Sequence, residues 1–131
     1  MITSGQVGSY DGSVAKVLIV EPDERLKRMM GWILIDAGFA VVCASDFDEA
    51  LRRLPEARPD VTVLDGDGTE GLCADPIGAV RTRWRDGRVI DLQPQHAPEI
   101  TTADATLTKP FHVQSLLAAI HDLSGARASG T

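Results

Sequence analysis

The sequence predicts an α/β fold: a doubly wound, five-stranded parallel sheet with helices on both faces. Three observations lead there. Strand-like runs are apolar throughout rather than alternating, as expected of strands buried on both faces. Segments with apolar residues at 3.6-residue spacing separate most of these runs, as in βαβ units. A polar residue follows the end of most runs, where open parallel sheets carry their functional groups.

Val17–Val20 is the first apolar run. Leu26, Met29, Met30, Ile33, Leu34 and Ala37 then repeat with helical spacing, and Gly38 is the expected C-cap. Phe39–Ala44 is the second strand, holding Cys43 in what reads as a buried run. Asp46 is placed to cap a helix carrying Phe47, Ala50, Leu51 and Leu54 on one face, with Pro55 and Pro59 in the turn beyond it. Val61–Leu64 is the third strand, and the glycine-rich stretch from Asp65 to Ala74 reads as a loop. Asp75 and Pro76 form an N-cap and first-turn proline for a helix whose buried face is Ile77, Val80 and Trp84. After the Asp86-Gly87 turn comes Val89–Leu92, a strand that Asp91 interrupts, so it is expected to be short or at an edge. Ala105–Thr108 is a weak fifth strand, and Val113, Leu116, Leu117 and Ile120 mark the last helix. The domain is expected over residues 14–124, between tails at 1–13 and 125–131.

Composition narrows the class. With 131 residues, 44% of them hydrophobic and 24% charged, the chain fits one globular domain. No apolar run is long enough to span a bilayer, and the first residues lack a signal-peptide layout, so a cytoplasmic protein without membrane contact is expected. Cys43 and Cys73 suggest neither a disulfide framework nor a zinc site. A net charge of −6 argues against direct nucleic-acid binding. The arginines at 81, 83, 85 and 88 around Trp84 read as a solvated helix face with a partly buried tryptophan.

Glu21, Asp65, Gln93 and Lys109 each follow a strand end, so the topology gathers them at one edge of the sheet. Two acids and a lysine there suit phosphoryl transfer. Carboxylates hold Mg²⁺, a carboxylate is a competent nucleophile, and cations offset charge on phosphoryl oxygens.

The segments VLIVEPDERLKRMM, AGFAVVCASDFDEALRRL, RPDVTVLD and ADATLTKPF resemble, in order, landmarks of the receiver domain of two-component response regulators. The resemblance covers roughly residues 16 to 123 and is strongest at PDVTVLD and TKPF. It implies a flavodoxin-like fold and a phosphoacceptor role for Asp65, served by a sensor histidine kinase, a phosphotransfer protein or a small phosphodonor. It implies a downstream protein partner as well. Lys109 matches the phosphate-contacting lysine, whose bond to Pro110 is typically cis. Glu21 matches the first acid of the Mg²⁺-binding pair, and Asp67 the residue that lends a backbone carbonyl to the metal. Too few residues remain after the last helix for an effector domain, so a stand-alone receiver or a piece of a longer protein is expected.

The departures from the family are specific. Pro22 occupies the second acid's position and offers no carboxylate, so Mg²⁺ binding is expected to be weak or absent. Asp23, one residue on, is a further candidate ligand. Gln93 replaces the usual Ser or Thr of the family's switch, and Thr106 its usual aromatic residue. The stretch from Gln93 to Asp104 has room only for a minimal crossover, hence a shortened fourth helix. Pro22, Gln93 and Thr106 keep open a pseudo-receiver that binds partners without being phosphorylated.

A rival lies in the same loop. VTVLDGDGTE also resembles the first motif of haloacid-dehalogenase phosphatases, which would make Asp65 the nucleophile and Asp67 the acid–base of a phosphohydrolase. Against it, two βα units precede the motif and only Asp91 stands where later acids are needed. An EF-hand is excluded by Glu70 and Pro76 at positions needing Gly and Glu. His96, His112 and His121 are too scattered to be metal ligands. His112 is expected to help start the last helix, Met29 and Met30 to lie in the core, and Phe111 to anchor by packing.

Overall fold

A computed structural model describes residues 14–54, 58–65, 75–95 and 101–129. The strands are β1 (Lys16–Val20), β2 (Ala40–Ala44), β3 (Val61–Asp65), β4 (Arg88–Gln93) and β5 (Ala105–Thr108). The helices among the described residues are α1 (Glu24–Asp36), α2 (Phe47–Arg53), α3 (Pro76–Arg83) and α4 (Val113–Ser129). All strand pairs are parallel, in the order β2-β1-β3-β4-β5, so the doubly wound, flavodoxin-like arrangement is the observed one.

Side-chain alternation along the central strands divides the core into two layers. Val17, Ile19, Val61, Val63, Ile90 and Leu92 meet Met30 and Leu34 of α1 and Leu116 and Ile120 of α4. Leu18, Val20, Leu64 and Val89 meet Ala50 of α2, Val80 of α3, and Leu54 and Trp84 at the ends of those helices. Because both faces are covered, the central strands lack a polar face, which is why their sequence does not alternate.

Local chemistry sets the helix ends. Asp23 Oδ1 accepts from the N–H groups of Arg25 and Leu26, Asp46 from Glu49, and Asp75 from Gly78. At the end of α1, Gly38 has φ 101°. Its N–H bonds Ile35 O while that of Phe39 bonds Leu34 O, a Schellman closure that only glycine adopts without strain. His112 O accepts from Ser115 and Leu116, so His112 does help start the last helix. Phe111 packs against the α1/α4 layer as expected.

Several expectations need correction. β4 is neither short nor at an edge: it runs six residues between β3 and β5. Asp91 is buried within it, tolerated because Gln93 Nε2 (3.0 Å) and Thr101 Oγ1 (3.4 Å) bond its carboxylate. Trp84 is 1% exposed rather than partly buried, since its ring fills the gap between α2 and α3 and meets Phe47 edge-on. Of the methionine pair only Met30 is core; Met29 is 45% exposed. Cys43 is half-buried, because β2 is an edge strand. The last helix continues to Ser129, past the point where composition suggests a tail. The residues 1–13, Asp67 with the rest of the DGDGT loop, Cys73, and the 96–100 stretch holding His96 and the expected fourth helix lie outside the described residues.

Arg83 lies over the Trp84 ring at 5.4 Å, and Arg81 and Arg88 both approach Asp104, at 3.1 and 3.7 Å. Arg81 and Arg88 therefore hold the entry to β5, and Arg83 stacks on Trp84, while Arg85 is exposed. The Trp84 indole N–H is buried and has no acceptor among the described residues. Trp84→Ala should cost about 3–5 kcal/mol, the usual range for emptying an aromatic site. Trp84→Phe should cost less than half as much, since it also removes an unsatisfied donor. Urea denaturation followed by far-ultraviolet circular dichroism measures both.

Candidate functional site

The strand order fixes the site before any side chain is placed. β1 and β3 are neighbours, so Glu21 and Asp65, at their carboxyl ends, come side by side. Lys109 follows β5, two strands from β3. Its backbone N–H bonds Gln93 O at 2.8 Å, which seats the chain on the end of β4, and the Lys109–Pro110 peptide is cis as expected. From there the lysine side chain crosses to both acids.

Lys109 Nζ hydrogen-bonds Asp65 Oδ2 and lies 3.3 Å from Glu21 Oε2 and 3.0 Å from Oε1. Glu21 is 1% and Asp65 3% exposed. Glu21 Oε2 also accepts from the Asp23 N–H at 3.1 Å, but Oε1 has no well-aligned donor among the described residues despite its nearness to the ammonium. Burial raises the Glu21 pKa above its usual value. The Asp23 N–H and Lys109 oppose that rise, and the neighbouring Asp65 adds to it. Burial works against the Lys109 charge too, yet bonding to Asp65 and Glu21 outweighs it and the net shift is upward.

The other expected site residues stand outside this triad. Asp23 caps α1 with Oδ1, and its backbone rather than its carboxylate touches Glu21. Pro22 is exposed and brings no ligand. The Gln93 amide is bonded to Asp91, and Thr106 is exposed on β5. Among the described residues no three acids, histidines or cysteines converge as a ready metal cluster. Two features are not anticipated by the sequence. The Asp91–Gln93–Thr101 set is hidden because its members look unrelated along the chain. The Asp23 cap has a signal, an Asp directly before a helical acidic first turn.

A flavodoxin-like domain with an acid–lysine triad at its carboxyl edge is the class that fold and geometry define. No protein-family model matches the chain. Among curated relatives, the phosphate regulon transcriptional regulatory protein PhoB of Klebsiella pneumoniae is 32% identical over 113 residues, covering 80% of this chain and 49% of the relative. The transcriptional regulatory protein TrcR of Mycobacterium tuberculosis is 31% identical over 119 residues, covering 86% and 46%. The chain thus spans about half the length of the curated relatives it matches. Among solved structures, the chemotaxis response regulator CheY4 of Vibrio cholerae superposes with TM-score 0.72 at 28% identity, covering 84% of this chain and 98% of that one. A receiver domain from Clostridium thermocellum, at 22% identity, shares the fold with TM-score 0.76 over 90% of this chain and 100% of its own. The chain is a response-regulator receiver domain of two-component signalling. The phosphohydrolase reading of DGDGT finds no support in these relatives, and Asp91 is committed to Gln93 and Thr101.

The raised Glu21 pKa has a definite sign in stability. Glu21 contributes stability fully below its ordinary value of 4.5, and that contribution is lost as pH rises through the raised value. Glu21→Gln should therefore match the wild type in acid and gain on it as pH rises above about 4.5. Unfolding midpoints measured at a series of pH values on either side of that ordinary value check this.

Proposed function

We propose that this receiver accepts a phosphoryl group on Asp65 from a sensor histidine kinase or phosphotransfer protein and passes the signal to a protein partner. The observation that carries the reading is Lys109 Nζ held by both Asp65 and Glu21 at the carboxyl edge of the sheet. An Asp65 carboxylate oxygen attacks phosphorus. The new O–P bond forms as the P–N bond of phosphohistidine breaks, or the P–O bond of an acyl phosphate, and the donor leaves with the electron pair. Lys109 then exchanges a carboxylate partner for the incoming phosphoryl oxygens and offsets their charge.

Mg²⁺, when bound, supplies further neutralisation of those oxygens. The chemistry of the donor set fits it in part. Glu21 Oε1 is a buried oxygen without a hydrogen bond among the described residues, and Asp65 lies beside it across Lys109. Mg²⁺ is commonly held by one or two carboxylates with water and phosphate completing its shell. Glu21 and Asp65 would hold it, with the Asp67 carbonyl as a further ligand and Asp23 limited to its one uncommitted oxygen. Without an acid at Pro22 the affinity is low. The domain works in the cytoplasm and contacts proteins rather than nucleic acid, in keeping with its net charge of −6.

Intact mass after incubation with acetyl phosphate and Mg²⁺ tests the reading. A phosphoryl adduct on the wild type, absent from Asp65→Asn, is expected. No adduct on a protein shown to be folded would instead indicate a phosphorylation-silent receiver acting through binding alone. Pro22→Asp should tighten Mg²⁺ by about tenfold, equivalent to ~1.4 kcal/mol, in a calorimetric titration. An unchanged affinity would mean that Pro22 does not limit the metal site.

A further inference from the structure

The large apolar side chains left exposed among the described residues gather on α1. Trp32 is 69% exposed, Ile35 59% and Met29 45%. On an α-helix Met29 and Ile35 stand about 60° to either side of Trp32, so the three share one outward face. The opposite face sends Met30 and Leu34 into the core. Core burial therefore accounts for the inner stripe only, and an outer face of this kind is normally charged or polar. Contiguous exposed apolar surface marks a contact, and tryptophan is among the residues most enriched at the centre of one.

The outer stripe is bounded by opposite charges. Arg28 lies four residues before Trp32 and Asp36 four after, and both are exposed. They stand about 6 Å to either side of it along the helix axis. Arg25, also exposed, adds to the positive end, while Glu24 is tied to Lys27 at 2.6 Å. No salt bridge engages Arg25, Arg28 or Asp36 among the described residues.

We propose that this face of α1 is the contact between two copies of the chain, packed antiparallel about a two-fold axis at Trp32. That axis brings Arg28 of each copy level with Asp36 of the other, twice per dimer, and lays the apolar residues between them against each other. A parallel pairing sets arginine on arginine. A second copy supplies both the apolar face and the opposite charges, with nothing required of another protein. The antiparallel α1 dipoles are favourable as well. An apolar groove lined by Leu26, Met29, Ile33, Pro110, Phe111 and Val113 continues the surface past Met29 and widens the contact. Its area is nevertheless that of a small interface, so the dimer is weak and reversible. The inference does not depend on the phosphoacceptor reading.

Sedimentation velocity of the full chain over a concentration series tests this. The wild type should move from monomer to dimer with a dissociation constant on the order of 100 µM. Trp32→Gln, at an exposed position, should weaken association by about tenfold or more. Arg28→Glu and Asp36→Arg should each weaken it by about fivefold, because both opposed pairs become like-charged. An equimolar mixture of those two proteins should recover wild-type association to within about twofold, since each opposed pair then has opposite signs again. Circular dichroism checks that every variant is folded. A wild type that stays monomeric up to about 500 µM, well above the expected constant, overturns the inference. So does a folded Trp32→Gln protein that dimerises like the wild type. A mixture that associates no better than its separate components also overturns it, a result independent of how any Trp32 variant folds.

Discussion

Two carboxylates buried side by side need a cation between them, and the structure meets that requirement with one residue. Glu21 and Asp65 are almost fully enclosed at adjacent strand ends, and Lys109 contacts both. Leaving either acid buried without a counter-charge would cost several kcal/mol. The demand reaches into the topology. Lys109 leaves β5, beyond β4, so its chain must be anchored on the end of β4 for the ammonium to reach β3 and β1. The bond from the Lys109 N–H to Gln93 O provides that anchor.

Pro22 changes the balance of this cluster. Two acids and one lysine leave a single excess negative charge, whereas a third acid would add another. The cluster is therefore closer to neutral than one with a further acid would be, and Lys109 bonds both carboxylates. The remaining imbalance is visible in Glu21, where burial outweighs the help of Lys109 and the Asp23 N–H, and where Oε1 lacks a well-aligned donor.

The parts legible in the sequence are those governed by local rules. β1 and β3 are evident because burial on both faces removes alternation. The starts of α2 and α3 are evident because Asp46 and Asp75 cap through bonds to residues three positions on. Glu21, Asp65 and Lys109 emerge from the position just past each strand's carboxyl end, which needs the topology but no distances. The errors arise where the deciding partner lies elsewhere. Asp91 reads as a break in β4 because Thr101 and the orientation of Gln93 are three-dimensional facts. Trp84 reads as partly exposed because its arginine neighbours dominate the local sequence, although Phe47 lies against it in space. Met29 and Met30 are adjacent in sequence and differ by about one hundred degrees around the helix, which a broad apolar stripe does not resolve.

Among the described residues, the site and the chain entering β5 are linked by a run of polar contacts. Gln93 O holds Lys109, the Gln93 amide holds Asp91, Asp91 holds Thr101, and Asp104 is held by Arg81, Arg88 and the Val89 N–H. Hydrogen bonds can be exchanged for others at small net cost, whereas repacking a core costs several kcal/mol. The two apolar layers, by contrast, enclose the sheet from both sides and leave little room for movement. Rearranging the polar contacts along β4 and the chain entering β5 therefore costs less than repacking either layer. Thr106 fits this division. It is exposed on the edge strand and carries no aromatic ring.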